Sequence, residues 1–315
     1  MTDPRDGITR RDFLRGAGPA AVAAALGMSA SSCRSGERGE PVRIAQRSPD
    51  AGKADNSRTA RVVLVRDRAA VKADGSLDFQ VVGKMLDQAV TELLGAEDVQ
   101  SAWRELVKPD DLVGIKTNIW AGLRTPPQVE QMLGRRIAEA GVPGQNIRIT
   151  DREARKKLAD CTALINVRPA RSHHWAGMGG CIKNYIVFHE APWMHHRRSC
   201  ESLASIWDLF DLKKKTRLNI LLVLTPQFYG RGPHGFDPRF VWPYNGILVS
   251  SDPVAVDALG AELLRVKRLA YFEGEERPLT PTTHIAAAEQ KYGLGVADLK
   301  RIQLVRLGWD EEMLI

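Results

Sequence analysis

Leu218-Asn219-Ile220-Leu221-Leu222-Val223-Leu224 decides the fold class. So continuous and short an apolar run reads as a strand buried on both faces, which occurs where helices cover both sides of a largely parallel sheet. Outward from it, 61–65, 112–116, 146–150, 163–167, 247–249 and 302–305 read as further strands. Helical patterns occupy 79–94, 128–140 (closed by Gly141), 202–212, 253–265 and 283–292. Strands alternate with helices and no internal repeat is present. Residues 60–315 are therefore expected to form a single α/β domain around a mainly parallel or mixed sheet.

The N-terminus has a different character. Thr9-Arg10-Arg11-Asp12-Phe13-Leu14-Arg15 sets paired arginines before Phe-Leu, and a mild Ala- and Gly-rich run follows from Ala17 to Met28. A charged start, a short apolar core and a small-residue exit make an export signal, and the paired arginines assign it to the twin-arginine class. The run is shorter than the roughly twenty residues a membrane span needs. Residues 1–32 are expected to be this signal peptide, with the twin-arginine translocase as partner during export and the periplasm or the outer face of a membrane as destination. Cys33, after Ala30-Ser31-Ser32, stands where a lipoprotein carries its lipid and would anchor the chain to a membrane. The usual leucine three residues earlier is missing, so a simple cleavage site is the alternative. Residues 33–59 are polar, with few large apolar side chains, and read as a flexible, disordered tether.

The formal charge is +7, and +6 without residues 1–32, which hold four arginines and three acids. Basic residues are spread along the chain. Lys213-Lys214-Lys215 reads as a solvated helix end, so nucleic acid is not an expected partner. Cys33, Cys161, Cys181 and Cys200 include no C-x-x-C pair, which argues against an iron–sulfur cluster or a structural zinc within the chain. A disulfide among the last three is open in an oxidising compartment.

Ligands collect at the carboxyl ends of strands in such sheets. Lys116, Thr117 and Asn118 close one strand, Asp151 and Arg152 another, and Arg168 a third, a set that favours an anionic substrate. Five of the seven histidines fall in residues 171–200: His173, His174, His189, His195 and His196. Clustered imidazoles can bind a divalent transition metal, and His173, His174, His189 and His195 are the candidate ligands. Neighbours on a strand face opposite sides, so each adjacent pair is expected to supply one ligand at most. In Gly177-Met178-Gly179-Gly180-Cys181-Ile182-Lys183-Asn184 the glycines would let backbone approach a ligand, with Lys183 supplying charge or nucleophile. Residues 225–246, with four prolines, four glycines and six aromatics, suit a functional loop or lid, or a flap that packs its own aromatics; Arg231 is its candidate ligand contact. Asp252 reads as a helix cap before Pro253. Asp257 lies among apolar residues of the same helix and needs a partner or a raised pKa, with Lys116 or Lys183 the candidate partners.

Gly114-Ile115-Lys116-Thr117-Asn118, Arg171-Ser172-His173, Cys181-Ile182-Lys183-Asn184, Gly230-Arg231-Gly232-Pro233 and Ser251-Asp252-Pro253-Val254-Ala255-Val256-Asp257 occur in this order. The set resembles the bacterial and archaeal domain-of-unknown-function family 362 over roughly residues 61–310. The resemblance implies an α/β fold and a shared site around Lys116, His173, Lys183, Asn184 and Asp257. Some members carry ferredoxin-like cysteine clusters, which this chain lacks. Arg171 stands where the family has lysine, and Thr225 where it has aspartate on the strand before the glycine-rich loop. The segment between Asp151 and Ile165 is short for the family.

The expectation is an exported enzyme with a metal or preassembled cofactor, acting on a small anionic substrate. Lys116 and Lys183 would hold or polarise the anion. His173 would serve as base or metal ligand, Asp257 would orient a lysine, and Asn118, Asp151, Arg171, Asn184 and Arg231 would bind substrate. A noncatalytic binding or assembly lipoprotein and a subunit of an exported electron-transfer complex are the alternatives.

Overall fold

The computed structural model describes residues 57–120, 122–232, 235–277 and 279–315. The expected signal, Cys33 and most of the expected tether lie outside the described residues, as do Pro233 and His234. No helix among the described residues is long and apolar enough to cross a membrane.

The strands are β1 (Ala60–Arg66), β2 (Val113–Lys116), β3 (Ile147–Thr150), β4 (Ala163–His173), β5 (Gly177–Gly179), β6 (Thr216–Gln227), β7 (Gly246–Ser250) and β8 (Ile302–Gly308). They join in one sheet ordered β3-β2-β4-β6-β7-β1-β8, with β5 pairing on β4. The sheet is mixed. β2, β3, β4 and β6 run parallel, as do β1 and β8, while β7 is antiparallel to both its neighbours and β5 to β4.

Alternation along the strands feeds two cores. Val63 and Val65 of β1 join Ile165 and Val167 of β4 on one face, under α1 (Phe79–Leu94), α2 (Val99–Leu106) and α3 (Pro127–Glu139). Leu64, Leu164 and Leu221 point the other way. They meet α4 (Ala154–Leu158), α5 (Cys181–Asn184) and α7 (Pro253–Tyr271), with α6 (Leu212–Lys215) and α8 (Thr283–Gln290) completing that layer. The helix ends follow their caps. Asp78 accepts the N–H groups of Gln80 and Val81 at the start of α1, and Gly95, at φ +65°, closes it. Asp252 accepts those of Val254 and Ala255 before Pro253 opens α7, as the sequence indicates.

Two expectations change. The predicted helix over 202–212 is a 3-10 segment, Arg198–Asp211, broken where Ser199, Cys200 and Phe210 take positive φ. Positive φ costs a non-glycine residue roughly 1–2 kcal/mol; burial of Cys200, Leu203 and Trp207 offsets it. β4 runs six residues past the predicted 163–167, through Arg168 to His173, every one buried. Its polar end carries no apolar alternation, so the strand signal stops early. Of the two readings of residues 225–246, the described part fits the flap that packs its own aromatics. Thr225 to Gln227 continue β6, and Phe228 is buried against Phe240, Trp242 and Tyr271.

Candidate functional site

The site lies at the carboxyl side of the parallel strands: β2 and β3 end at Lys116 and Thr150, while β4 and β6 run on past them to His173 and Gln227. Pro169 shapes it: the β4–β6 register shifts between Pro169 and Arg171, because proline has no N–H for the ladder. Beyond that irregularity Arg171 lies beside Gln227. β4 then turns back through β5 into α5, which carries Lys183 and Asn184.

Four cations are buried here: Lys116, Arg168, Arg171 and Lys183. Two carboxylates accompany them, Asp151 and Asp257. Lys116 donates to Asp151 Oδ1 at 2.5 Å, to the Thr117 carbonyl at 2.7 Å and to Asn184 Oδ1 at 3.3 Å. An ammonium has three protons, so Lys116 is fully engaged and serves as a fixed charge. Burial pulls it down to about 8 against the attraction of Asp151. Lys183 is held differently. Its Nζ approaches Cys200 Sγ at 3.8 Å, and burial, reinforced by Arg168 and Arg171, also brings it to about 8. Among the described residues Arg168 Nη1 donates to the Gly180 carbonyl alone, at 3.4 Å. Arg171 donates to Asn118 Oδ1 at 2.6 Å and to the Leu123 carbonyl.

Asp257 does not orient a lysine. It accepts the N–H groups of Cys181 (2.6 Å) and Ile182 (2.8 Å), capping α5 from across the core. Burial pushes its carboxyl up to about 7, and the two N–H groups and Arg168 resist that rise. This explains the glycines of the central motif. A Cβ on Gly180 would stand 2.2 Å from Asp257 Oδ1, and one on Gly179 would stand 2.6 Å from Arg168 Nη2. They make room for side chains, where the sequence suggested room for a ligand.

A line of asparagines braces the site. Asn118 Nδ2 donates to Asn184 Oδ1 (3.4 Å), Asn184 to Asn166 (2.8 Å) and Asn166 to Asn219 (3.0 Å); Asn219 ends on the carbonyls of Ser250 and Ser251. Each amide fixes the next, and Asn184 thereby turns its oxygen to Lys116. Asn166 and Asn219 were missed from sequence. Their signal was a polar amide inside an apolar strand, since such a group must be paired.

The histidines fall into two pairs. His173 and His174 stack with centroids 4.9 Å apart, contrary to the expected opposite faces, because β4 ends at His173 and strand alternation stops there. His189 and His195 meet edge-on at 4.6 Å. His173 Nδ1 accepts the N–H of Trp175 (3.2 Å), and His189 Nδ1 that of Ala191 (3.0 Å). A ring nitrogen accepting a backbone N–H carries no proton, so the neutral ring bears it on Nε2. Metal-bound histidine shows the reverse, donating from one nitrogen and ligating with the other; His174, whose Nδ1 faces the Arg231 carbonyl at 3.1 Å, and His195, whose Nδ1 faces Ser202 Oγ at 2.9 Å, can match that pattern. Among the described residues no group of three or more His, Cys, Asp or Glu is placed to hold a metal ion. Burial, with Lys183 and Arg168 nearby, drives the His173 pKa far below the usual imidazole range. His173 is therefore a neutral Nε2–H donor. Arg231 has an exposed side chain and meets His174 through its carbonyl. Cys161, Cys181 and Cys200 are buried, unbridged thiols.

Eight buried side-chain atoms in this region make no hydrogen bond to the protein: Arg168 Nε, Arg171 Nε, Ser172 Oγ, His195 Nε2, both amide atoms of Gln227 and both ring nitrogens of His284. They are eight of the twelve such atoms among the described residues, so the deficit is concentrated. His284 feels both Lys183 and Arg168, and His195 feels Lys183. A lone histidine opening a short helix gave the sequence no signal of this.

Residues 113–262 match the family model Domain of unknown function (DUF362). Among curated proteins and among solved structures, nothing matches the chain. The DUF362 segment spans β2 to the middle of α7 and holds every residue of the site just described except His284.

Proposed function

We propose that this protein is an enzyme acting on a small dianionic substrate, bound by Arg168 and Arg171 and protonated by Lys183. The concentrated deficit of eight unpaired buried polar atoms carries this reading. Each such atom costs about 1–3 kcal/mol if left unmade. Together they would rival the roughly 5–15 kcal/mol that holds a domain folded. Water could supply hydrogen bonds, but it leaves the charge. Four cations against two carboxylates leave two positive charges in a low-dielectric interior, and a dianion meets both demands.

Within this reading Lys116, locked by Asp151 and Asn184, contributes field. The His173 Nε2–H and the guanidinium Nε–H groups donate to the anion. Among the described residues Lys183 Nζ meets only the Cys200 thiol, and its pKa near 8 suits an ammonium that gives its proton to the leaving-group oxygen as water attacks the ester's phosphoryl, sulfuryl or acyl centre and releases a proton to solvent. The paired arginines at Arg10 and Arg11 support action outside the cytoplasm.

Lys183→Ala separates catalysis from binding. The expected result, over a panel of phosphate, sulfate and carboxylate esters, is turnover reduced about 100-fold or more, the usual worth of a positioned acid, with ligand affinity kept within tenfold. Loss of affinity, with no turnover of any ester by the parent protein, would make this a binding protein.

A further inference from the structure

Ten large hydrophobic side chains are exposed among the described residues, and six of them sit on segments that border the cation cluster: Ile119, Trp120, Trp175, Trp193, Met194 and Phe236. Single exposed hydrophobics are ordinary; a group of them around one site is not. Their attachment to the site is direct. The Ile119 N–H donates to Asp151 Oδ2 at 3.0 Å, and the Trp120 ring lies 5.6 Å from the Arg152 guanidinium. The Trp175 N–H fixes the ring of His173. The Trp175 ring itself lies against His174 at 4.2 Å and His196 at 4.1 Å. His196 feels the charge of Lys183, which puts this stack on the Lys183 side of the site. Trp193 and Met194 occupy the same turn as His195 and His196, and Phe236 lies where a Cβ on Gly122 would meet its ring at 2.6 Å. Leu123, one residue on, accepts from Arg171.

We propose that the ligand is an amphiphilic anion: a phosphoryl head held by Arg168 and Arg171 beside Lys183, with a flat apolar body lying on the rim formed by Trp120 and Trp175. The inference rests on the anion-binding reading and deepens it. A head with three oxygens and two charges uses guanidinium, ammonium and hydroxyl donors at once, and it matches the two uncompensated positive charges. An apolar body leaving that head packs on the exposed parts of the two indoles and on the neighbouring Ile119 and Phe236, which offer apolar contact area at little entropic cost. A fully hydrophilic ligand would leave the rim unused.

The test is calorimetric titration of the full chain with methylphosphonate and with 1-naphthylmethylphosphonate, two non-hydrolysable heads differing only in the apolar body. The naphthyl compound is expected to bind at least tenfold more tightly. Trp175→Ala and Trp120→Ala together should erase that advantage and leave methylphosphonate affinity unchanged. Equal affinity for both compounds, or an advantage that survives the double substitution, overturns the amphiphile assignment while the anion site stands. Failure of both compounds to bind, with other dianions bound, overturns the phosphoryl head; failure of every dianion overturns the anion site itself and this inference with it.

Discussion

Lys183 has a property that shows in two opposite measurements. Its amine titrates near 8 in the folded chain and near 10.5 when solvated, and Lys116 behaves likewise. Between those values the unfolded chain holds more protons than the folded one, so stability rises as pH climbs from about 8 toward 10.5. Below 8 the burial cost of both charges is borne in full. Ligand-free protein should therefore melt at a higher temperature as pH rises through this window, by calorimetry, and Lys183→Met should be more stable at pH 7 by about 1–3 kcal/mol. Turnover should move the other way. Only the ammonium can donate, so the rate should fall about tenfold per pH unit above 8. A rate that climbs there would remove Lys183 as the acid. Residues of this kind were legible in the sequence as types: Lys116, Asn118, Asp151, Arg171, Lys183 and Asn184 do gather. Their pairings were not legible. Asp257 was matched to a lysine on the logic of charge, whereas the fold gives it two backbone N–H groups.

At the scale of elements, α5 depends on a cap that comes from α7. Gly180→Ala would drive a methyl group into Asp257, 2.2 Å from Oδ1. The expected result is a loss of about 1–3 kcal/mol, as for other overpacked sites, together with weakened anion binding because Lys183 shifts with α5. Gly134→Ala in α3 is the control. Its new Cβ would meet only Ile149 Cδ1, at 3.6 Å, so it should stabilise by about 0.5–1 kcal/mol. Equal effects at the two glycines would show that the Asp257 cap is unimportant. The strands read at 61–65, 112–116 and 247–249 and the helices read at 79–94 and 253–265 are present, the last running on to Tyr271, because apolar periodicity and caps agree there. The second half of β4 could not be read from sequence. Arg168-Pro169-Ala170-Arg171-Ser172-His173 contains a proline and four polar residues, and only burial at the end of a parallel sheet makes it a strand. The departure from local rules falls where the site is.

For the whole molecule, one sheet with two cores gives a rigid frame that carries the charged cluster on the carboxyl side of the parallel strands β2, β3, β4 and β6. The fold class, an α/β domain on a mainly parallel or mixed sheet, was legible because alternation of strands and helices survives in the sequence; which strands run antiparallel was not, since β7 and β1 carry the same apolar pattern in either direction. The molecule-wide claim about location is tested by replacing Arg10 and Arg11 with lysine in a host with a working twin-arginine pathway. Fractionation should find the parent chain outside the cytoplasm and the double variant inside it. Equal export of both would assign another route.

The central claim is that the buried cations exist to hold a dianion, and calorimetric titration of the full chain with phosphate, sulfate and malonate tests it most directly. The account predicts that at least one of them binds with one-to-one stoichiometry, and that Arg168→Leu weakens it tenfold or more without unfolding the protein. No binding by any of the three, or binding that Arg168→Leu leaves unchanged, would contradict it.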